Sequence, residues 1–456
     1  MAVWSTTSKM RLFIDKRMDA EFYQPAYQRF ENAVRCVGHF DYLHNLGDFI
    51  IGPFGSAFDT NNYEISSVYR YIRGRDVKPF VLLDDDNRYI PETDYLRLHR
   101  YHVKDDDIFI SVVGTLGNAA ICPTPGIKAI FSCKSTVFRH RDIDAYYILT
   151  YLNSSFGYNS MIRRQRGAVQ GGLNKEDLAT VPVPRFDESI EKEIGSIVRK
   201  AFRARNQAQS FYSSARALLS SALKENELKF DHPLSYTTRF SDVMREGRAD
   251  ADYFQVPYIQ LAQQIRGNTA GFVQLTEHCD FLSPNANPDK TPNEEFSYVE
   301  LADINAGLGV IDACEKYRGS DLPSRARRRV KAGDVLASSV VGSIDKSAVI
   351  GKDQEGFIAS TGFFHLRPKD VSTEFLLMLM RSTIVQMQLR QQATGGILSG
   401  VPDSRVKYII VPKVNRDLQK EITAKVRAAH KKHKESLELL AAAKARVEEL
   451  IESAVK

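Results

Sequence analysis

Arg17-Met18-Asp19-Ala20-Glu21-Phe22-Tyr23-Gln24 returns as Arg248-Ala249-Asp250-Ala251-Asp252-Tyr253-Phe254-Gln255, 231 residues further on. Working outward from this pair, two more blocks return in the same order. Val103-Lys104 through Asp107-Ile108, with Val112-Val113-Gly114, returns as Val330-Lys331 through Asp334-Val335, with Val340-Val341-Gly342. Gly167-Ala168-Val169 and Val183-Pro184 return as Gly395-Gly396-Ile397 and Val411-Pro412. The further offsets are 227 and 228, half of the 456-residue length. A period this long is a duplicated domain, not a solenoid repeat. Two similar but non-identical halves suit contact with two similar but non-identical things.

Apolar content of 43% and charged content of 26% are those of an ordinary globular protein with more than one core. Mean hydropathy is negative. No apolar run approaches a membrane span, and Met1 to Pro25 lacks the apolar core of a signal peptide. The expected address is therefore cytoplasmic, with no membrane partner. Cys36, Cys122, Cys133, Cys279 and Cys314 are scattered without a C-x-x-C pair, which argues against a disulfide framework and against a metal site. The net charge of +6 permits a nucleic-acid partner without demanding one.

Each half divides in two. A mixed region holds short β-rich runs, such as 107–113 and 334–341, punctuated by Gly52-Pro53-Phe54-Gly55 and Pro123-Thr124-Pro125-Gly126. It closes with a helical segment (Ala145 to Arg164, and Thr373 to Gln392), a Gly-rich turn and a short strand ending in Val-Pro. A long helix follows. Ile422, Val426, Ala429, His433, Ser436, Leu440, Ala443, Val447, Leu450 and Ala454 step by four and three, a sustained heptad seam. The first copy repeats it in register through Ile194, Val198, Ala201, Arg205, Ala208, Tyr212, Ala215, Leu219, Ala222 and Asn226. Forty-odd residues make a rod of roughly 60 Å, which cannot bury its seam alone. The two rods are expected to pair, with Arg205 and His433 helping to fix register. The predicted fold is α+β: two similar mixed α/β domains (1–186 and 230–413) separated by two long antiparallel coiled-coil helices (187–229 and 414–456), an internal pseudo-twofold repeat.

Motifs for catalysis are absent. The sequence has no P-loop, no G-x-G-x-x-G, no Asn-Pro-Pro-Tyr-like tetrapeptide, no G-x-S-x-G and no H-E-x-x-H. His140-Arg141-Asp142 lacks the rest of a kinase signature. Pro288-Asp289 lacks the Glu-x-Lys that a nuclease centre needs, and its surroundings read as loop. The expectation is a chain with no catalytic residues and no bound metal or cofactor. Basic residues remain. Arg73, Arg75 and Lys78 flank a glycine after the strand predicted at 68–72, which suits a loop entering a groove. Arg163, Arg164 and Arg166 close a helix, where cations also favour the helix dipole. Arg325, Arg327, Arg328 and Arg329 precede a strand predicted from Val330 and suit phosphate contact. Lys128, Lys134 and Lys346 are weaker candidates. The turns 114–117 and 342–345 read as structural.

The duplicated layout resembles the specificity (S) subunit of type I restriction–modification enzymes. The resemblance is carried by Asp19 to Pro25, by Gly52 to Ser56, by the Asp-Ile-Phe-Ile-Ser-Val-Val-Gly-Thr-Leu-Gly run from Asp107 to Gly117, and by Gly171 to Pro184. The second half carries its versions at 250–255, 334–343 and 395–412. It departs around 281–296, where an Asn/Pro-rich loop replaces the Gly-Pro-Phe-Gly-Ser segment. The resemblance covers essentially the whole chain. It implies two target-recognition domains, each reading one half of a split double-stranded DNA target, and helices that set the spacer. It also implies two DNA adenine methyltransferase subunits docked on those helices, which bind S-adenosylmethionine. Restriction and translocase subunits that use ATP and Mg could join them, so cofactors belong to partners. Two other classes stay open on the residues: a two-headed protein-interaction scaffold, and a DNA-acting enzyme with an unrecognised active site.

Overall fold

Ile108–Ser111 is a strand with all four residues buried, and it lies inside a four-stranded antiparallel sheet. The order across that sheet is Gly47–Ile51, Ser135–His140, Ile108–Ser111, Ala119–Ile121. The computed structural model describes residues 4–54, 57–84, 86–123, 125–167, 171–396 and 399–455. The chain separates into two compact units, 1–204 with 435–456, and 205–434. The second unit repeats the sheet as Cys279–Leu282, Phe363–Pro368, Val335–Ser338, Ser347–Val349. A second sheet pairs Arg70–Ile72 parallel to Ala129–Phe131 in one unit and Glu295–Val299 parallel to Ile358–Ser360 in the other. The Val-Pro strands Pro182–Pro184 and Ile410–Pro412 pair antiparallel with Phe40–Tyr42 and Phe272–Gln274. Each of these sheets has only two strands, so the prolines sit where no second neighbour needs an N–H.

The opening repeat is a clasp. Arg17 donates to the carbonyls of Arg164 and Gln165 (3.2 and 2.9 Å) and pairs with Asp19 at 2.6 Å. Arg248 donates likewise to Gln392 and Ala393 (3.3 and 2.8 Å) and pairs with Asp250 at 2.7 Å. Both guanidiniums satisfy carbonyls left over at a helix end. Gly167 and Gly395 share a left-handed backbone (φ +103° and +105°), which explains why glycine recurs there. The other residues of that motif, Ala168, Val169 and Ile397, lie outside the described residues, as do Gly55, Ser56 and Thr124 of the two predicted turns.

Each predicted helical segment is two helices: Ala145–Asn153 then Ser155–Ile162, and Thr373–Met380 then Thr383–Gln392. The Ser154 hydroxyl donates to the Tyr151 carbonyl and accepts from Gly157 N–H, ending one helix and capping the next. Ser382 does the same with Leu379 and Val385. The predicted strand at 68–72 is shorter, at Arg70–Ile72.

The long helices run Glu188–Ala222 and Arg416–Ser453. Ile194 and Val198 are buried with Ala443, Val447 and Ile451 in one core of the first unit. Ala208, Tyr212, Ala215 and Leu219 are buried with Ile422, Val426 and Ala429 in one core of the second. In each unit the beginning of one helix therefore packs along the end of the other, which is antiparallel. The same cores hold sheet and short-helix residues, so each seam is covered by its domain as well. Leu440 and Leu450 are half-buried, while Ile451 and Leu223 are fully buried. A 3.6-residue helix drifts by about 20° per heptad relative to a strict seam, which moves the buried stripe by one position at the ends. Arg205 is half-buried. His433 Nε2 meets Asp312 Oδ1 at 2.5 Å, a partner in the mixed domain rather than on the facing helix.

Candidate nucleic-acid interface

The loop after Arg70–Ile72 is closed by its own charges. Arg73 N–H donates to Asp76 Oδ2 at 2.8 Å, and the Arg73 guanidinium reaches Asp76 (2.9 Å) and Asp86 (3.3 Å). Asp76 is buried. Arg73 is therefore mainly the tie of this turn. Arg75 points outward, two-thirds exposed, with Asp86 at 3.5 Å. Lys78 is half-buried, and its backbone exchanges two hydrogen bonds with Val81. Arg88, which the sequence reading did not single out, meets Asp86 at 2.7 Å. It follows the acidic run 84–86, which masked it. Burial raises the Asp86 carboxyl, but Arg73 and Arg88 together outweigh it and hold the group below the usual range. Arg75 and Arg88 are the outward cations of a cluster with three guanidiniums and two carboxylates.

The second unit builds the same turn from other residues. After Glu295–Val299, Glu300 N–H donates to Asp303 Oδ2 at 2.8 Å, as Arg73 does to Asp76. Arg-Gly-Arg-Asp thus corresponds to Glu-Leu-Ala-Asp. Lys346 Nζ donates to the Leu301 carbonyl at 2.8 Å, which ties that lysine to the turn.

The arginine run is itself a strand, Ala326–Arg329, and does not merely precede one. It pairs antiparallel with Ile358–Ser360. The two-residue period of a strand sends alternate side chains inward. Arg328 is accordingly buried, donating to the Leu282 carbonyl at 2.6 Å and pairing with Asp403 at 3.2 Å. The expectation of DNA contact from Arg328 is corrected: it ties the sheet to neighbouring segments. Arg325, Arg327 and Arg329 point outward. Arg327 is held by Asn287 (2.6 Å) and Asp289 (2.8 Å), and Arg325 lies 3.4 Å from Glu300. Arg329 is exposed, its guanidinium 5.5 Å over the Phe296 ring. Asn285 laces the Asn/Pro-rich loop onto the strand through Arg329 N–H at 2.7 Å. Asp289 is therefore an arginine's partner. No group of three or more His, Cys, Asp or Glu suited to a metal occurs among the described residues.

Arg163 and Arg164 are 3% exposed. They pair with Glu31 Oε2 at 2.8 and 2.9 Å, and Arg164 also donates to the Thr180 carbonyl at 2.8 Å. Guanidiniums enclosed this way cannot reach a phosphate, so the expectation of DNA contact from these two is also corrected. Their helix ends inside the domain, a tertiary fact invisible in a local basic run. Arg166 is half-exposed and bonds Asp177 Oδ1 at 2.8 Å. The outward cations that remain are Arg75, Arg88, Arg166, Arg325, Arg327 and Arg329. No helix among the described residues is long and apolar enough to cross a membrane.

No protein-family model and no curated protein matches the sequence. The fold is similar to solved structures. One is a type I restriction–modification system S subunit from M. genitalium, 12% identical with a TM-score of 0.44, over 91% of this chain and 95% of that one. Another is the HsdS subunit from Thermoanaerobacter tengcongensis, 15% identical with a TM-score of 0.28, over 91% and 96%. A third comes from work on complex assembly and conformational transition of the type I R-M system, 14% identical with a TM-score of 0.29, over 91% and 97%. At such identities and scores, function has to be argued from the residues.

Proposed function

We propose that this chain is the DNA specificity subunit of a type I restriction–modification complex, without a catalytic centre of its own. Each mixed domain reads one half of a split double-stranded target. The long helices set the unread spacer and dock two adenine methyltransferase subunits. S-adenosylmethionine, ATP and Mg belong to those partners and to any restriction subunit. The observation that carries this reading is a repeated scaffold with unlike outward chemistry. The same turn is Arg-Gly-Arg-Asp in one unit and Glu-Leu-Ala-Asp in the other, and among the described residues only the second unit has an arginine strand with an asparagine loop laced to it. Arginine and asparagine are suited to guanine and adenine edges, while phosphate contacts orient without specifying.

The test is to map N6-methyladenine in a host expressing the chain with its methyltransferase partner. A split motif methylated on both strands, and lost when the chain is deleted, is expected. A contiguous motif, or methylation unaffected by deletion, would overturn the reading. Four residues inserted near Ala208 lengthen a helix by about 6 Å and should lengthen the accepted spacer by roughly two base pairs.

A further inference from the structure

In the second unit, one face of helix Val256–Arg266 is covered by the chain itself. Beyond Leu223, which is buried in that unit's core, the chain continues as Leu228-Lys229-Phe230-Asp231. Its burial alternates as an extended segment requires: Leu228 and Phe230 are half-buried against the core, while Lys229 and Asp231 are exposed. Two glutamines of the helix hold it. Gln260 Nε2 donates to Asp231 Oδ2 at 2.5 Å, and Gln260 Oε1 accepts from Asp231 N–H at 2.8 Å. Gln264 Nε2 donates to the Lys229 carbonyl at 3.0 Å.

The first unit has the corresponding helix, Pro25–Cys36, in the register that aligns Gln24 with Gln255. On that register Arg29 stands in place of Gln260 and Ala33 in place of Gln264. The face is here an open groove of about 930 Å³, whose lining includes Arg29, Phe30, Ala33, Phe156, Glu452 and Val455. Phe30 and Phe156 meet edge to face at 5.4 Å and form its apolar wall. Their counterparts, Leu261 and Ile384, belong to the core on which Leu228 and Phe230 pack. Arg29 and Glu452 are exposed, and neither has an ion-pair partner among the described residues. The groove therefore keeps the apolar wall of the covered face and adds one free charge of each sign.

We propose that this groove docks an extended segment of a partner polypeptide, as 228–231 covers the second unit. The segment carries an apolar residue, an aromatic residue two positions later, and an acidic residue next. The two apolar side chains cover Phe30 and Phe156, and the carboxylate meets Arg29, where the second unit pairs Asp231 with Gln260. A cation between the apolar positions, as at Lys229, suits Glu452. Apolar pockets for alternate side chains, with charge set beside them, are the chemistry by which extended peptides are recognised. The docking does not rest on the DNA reading.

The probe is a fluorescein-labelled peptide of residues 224–234, titrated with the full chain by fluorescence anisotropy. Saturable binding with a Kd below about 1 mM is expected. Replacing both Leu228 and Phe230 by alanine in the peptide should weaken it at least about ten-fold. In the chain, Arg29→Glu, at an exposed position, should weaken the peptide by about five-fold or more, and Asp231→Arg in the peptide should restore binding to that variant. Amide exchange should show new protection on helix Pro25–Cys36 and none on helix Val256–Arg266. Absence of saturable binding below about 1 mM, affinity unchanged by Arg29→Glu, or protection on helix Val256–Arg266 overturns the proposal. A chain that self-associates until the peptide is added would assign the groove to a second copy and overturn the partner assignment. Loss of the split methylation pattern with peptide binding intact would refute the DNA reading and leave the groove standing.

Discussion

Glu31→Gln tests whether Arg163 and Arg164 serve the fold of the first unit or its partner. Glu31 is 1% exposed and meets Arg163, Arg164 and Arg35 at 2.8, 2.9 and 2.8 Å. Replacing it leaves two enclosed guanidiniums without their counter-ion. Breaking a buried pair from one side costs about 3–5 kcal/mol, a large part of the stability of an ordinary domain. Burial pushes the Glu31 carboxyl up, but Arg164 and Arg163 outweigh it and bring the group to about 2, from an ordinary value of 4.5. That difference corresponds to about 3 kcal/mol of pH-dependent stability. Because the folded-state value is depressed, the contribution is complete above pH 4.5 and disappears as pH falls toward 2. The glutamine variant has no such group. The gap between wild type and variant should therefore narrow by about 2 kcal/mol between pH 7 and pH 3. Urea unfolding at several pH values measures the gap. Amide exchange in helix Pro25–Cys36 locates it, with helix Val256–Arg266 as the internal control. A loss under about 1 kcal/mol at pH 7, or a gap that does not narrow in acid, would refute the buried-cluster reasoning.

The same logic separates structural from outward arginines. Arg163→Ala should lower the stability of the first unit by about 3 kcal/mol, yet leave the salt dependence of DNA binding by the folded complex unchanged. Arg75→Ala and Arg329→Ala, each at an exposed side chain, should leave stability within about 0.5 kcal/mol and reduce the slope of log affinity against log salt by about 1 each; unchanged slopes would turn those residues away from DNA. Arg17→Ala and Arg248→Ala should each destabilise their own unit by about 2 kcal/mol, and urea unfolding of the double variant should give the sum within about 0.5 kcal/mol. Asp334 is buried and meets His365 at 2.6 Å and Arg367 at 2.8 Å. Burial raises its carboxyl, but His365 and Arg367 hold it at about 2. Asp334→Asn should cost about 3 kcal/mol at pH 7 by urea unfolding, with the difference shrinking as pH drops below 4.

The parts of the fold that were legible in the sequence are those with a strong local cause. The Arg-x-Asp opening recurs because each guanidinium collects two carbonyls at a helix end, and Gly167 and Gly395 recur because the backbone turns left-handed. The heptad seam was legible because apolar steps of four and three admit little else. What was not legible depended on partners distant in sequence. Ser154 and Ser382 read as ordinary helical residues, yet each breaks its helix with its own hydroxyl. Arg163 and Arg164 read as a surface cluster because Glu31, more than 130 residues earlier, is not a neighbour in sequence. Arg88 was hidden behind three aspartates.

The arginine strand shows why a basic run alone is a poor guide to an interface. Had 325–329 only preceded the strand, as expected, with no strand alternation of its own, all four guanidiniums could have turned toward one phosphate backbone. As a strand the run must alternate, so pairing Ala326–Arg329 with Ile358–Ser360 commits Arg328 to the interior. That side chain then bonds Leu282 and Asp403 and fixes the strand that carries Arg327 and Arg329 outward. The asparagine loop completes the arrangement by bonding the outer edge of the strand at Asn285 and pinning Arg327 at Asn287. A floppy arginine loses conformational entropy on meeting a base edge, whereas one pinned by its neighbours has lost much of it already. One side chain of the run thus stiffens the others. Under the proposed DNA reading, this pre-organisation, more than the number of positive charges, would suit the strand to discriminating between bases as well as holding phosphates.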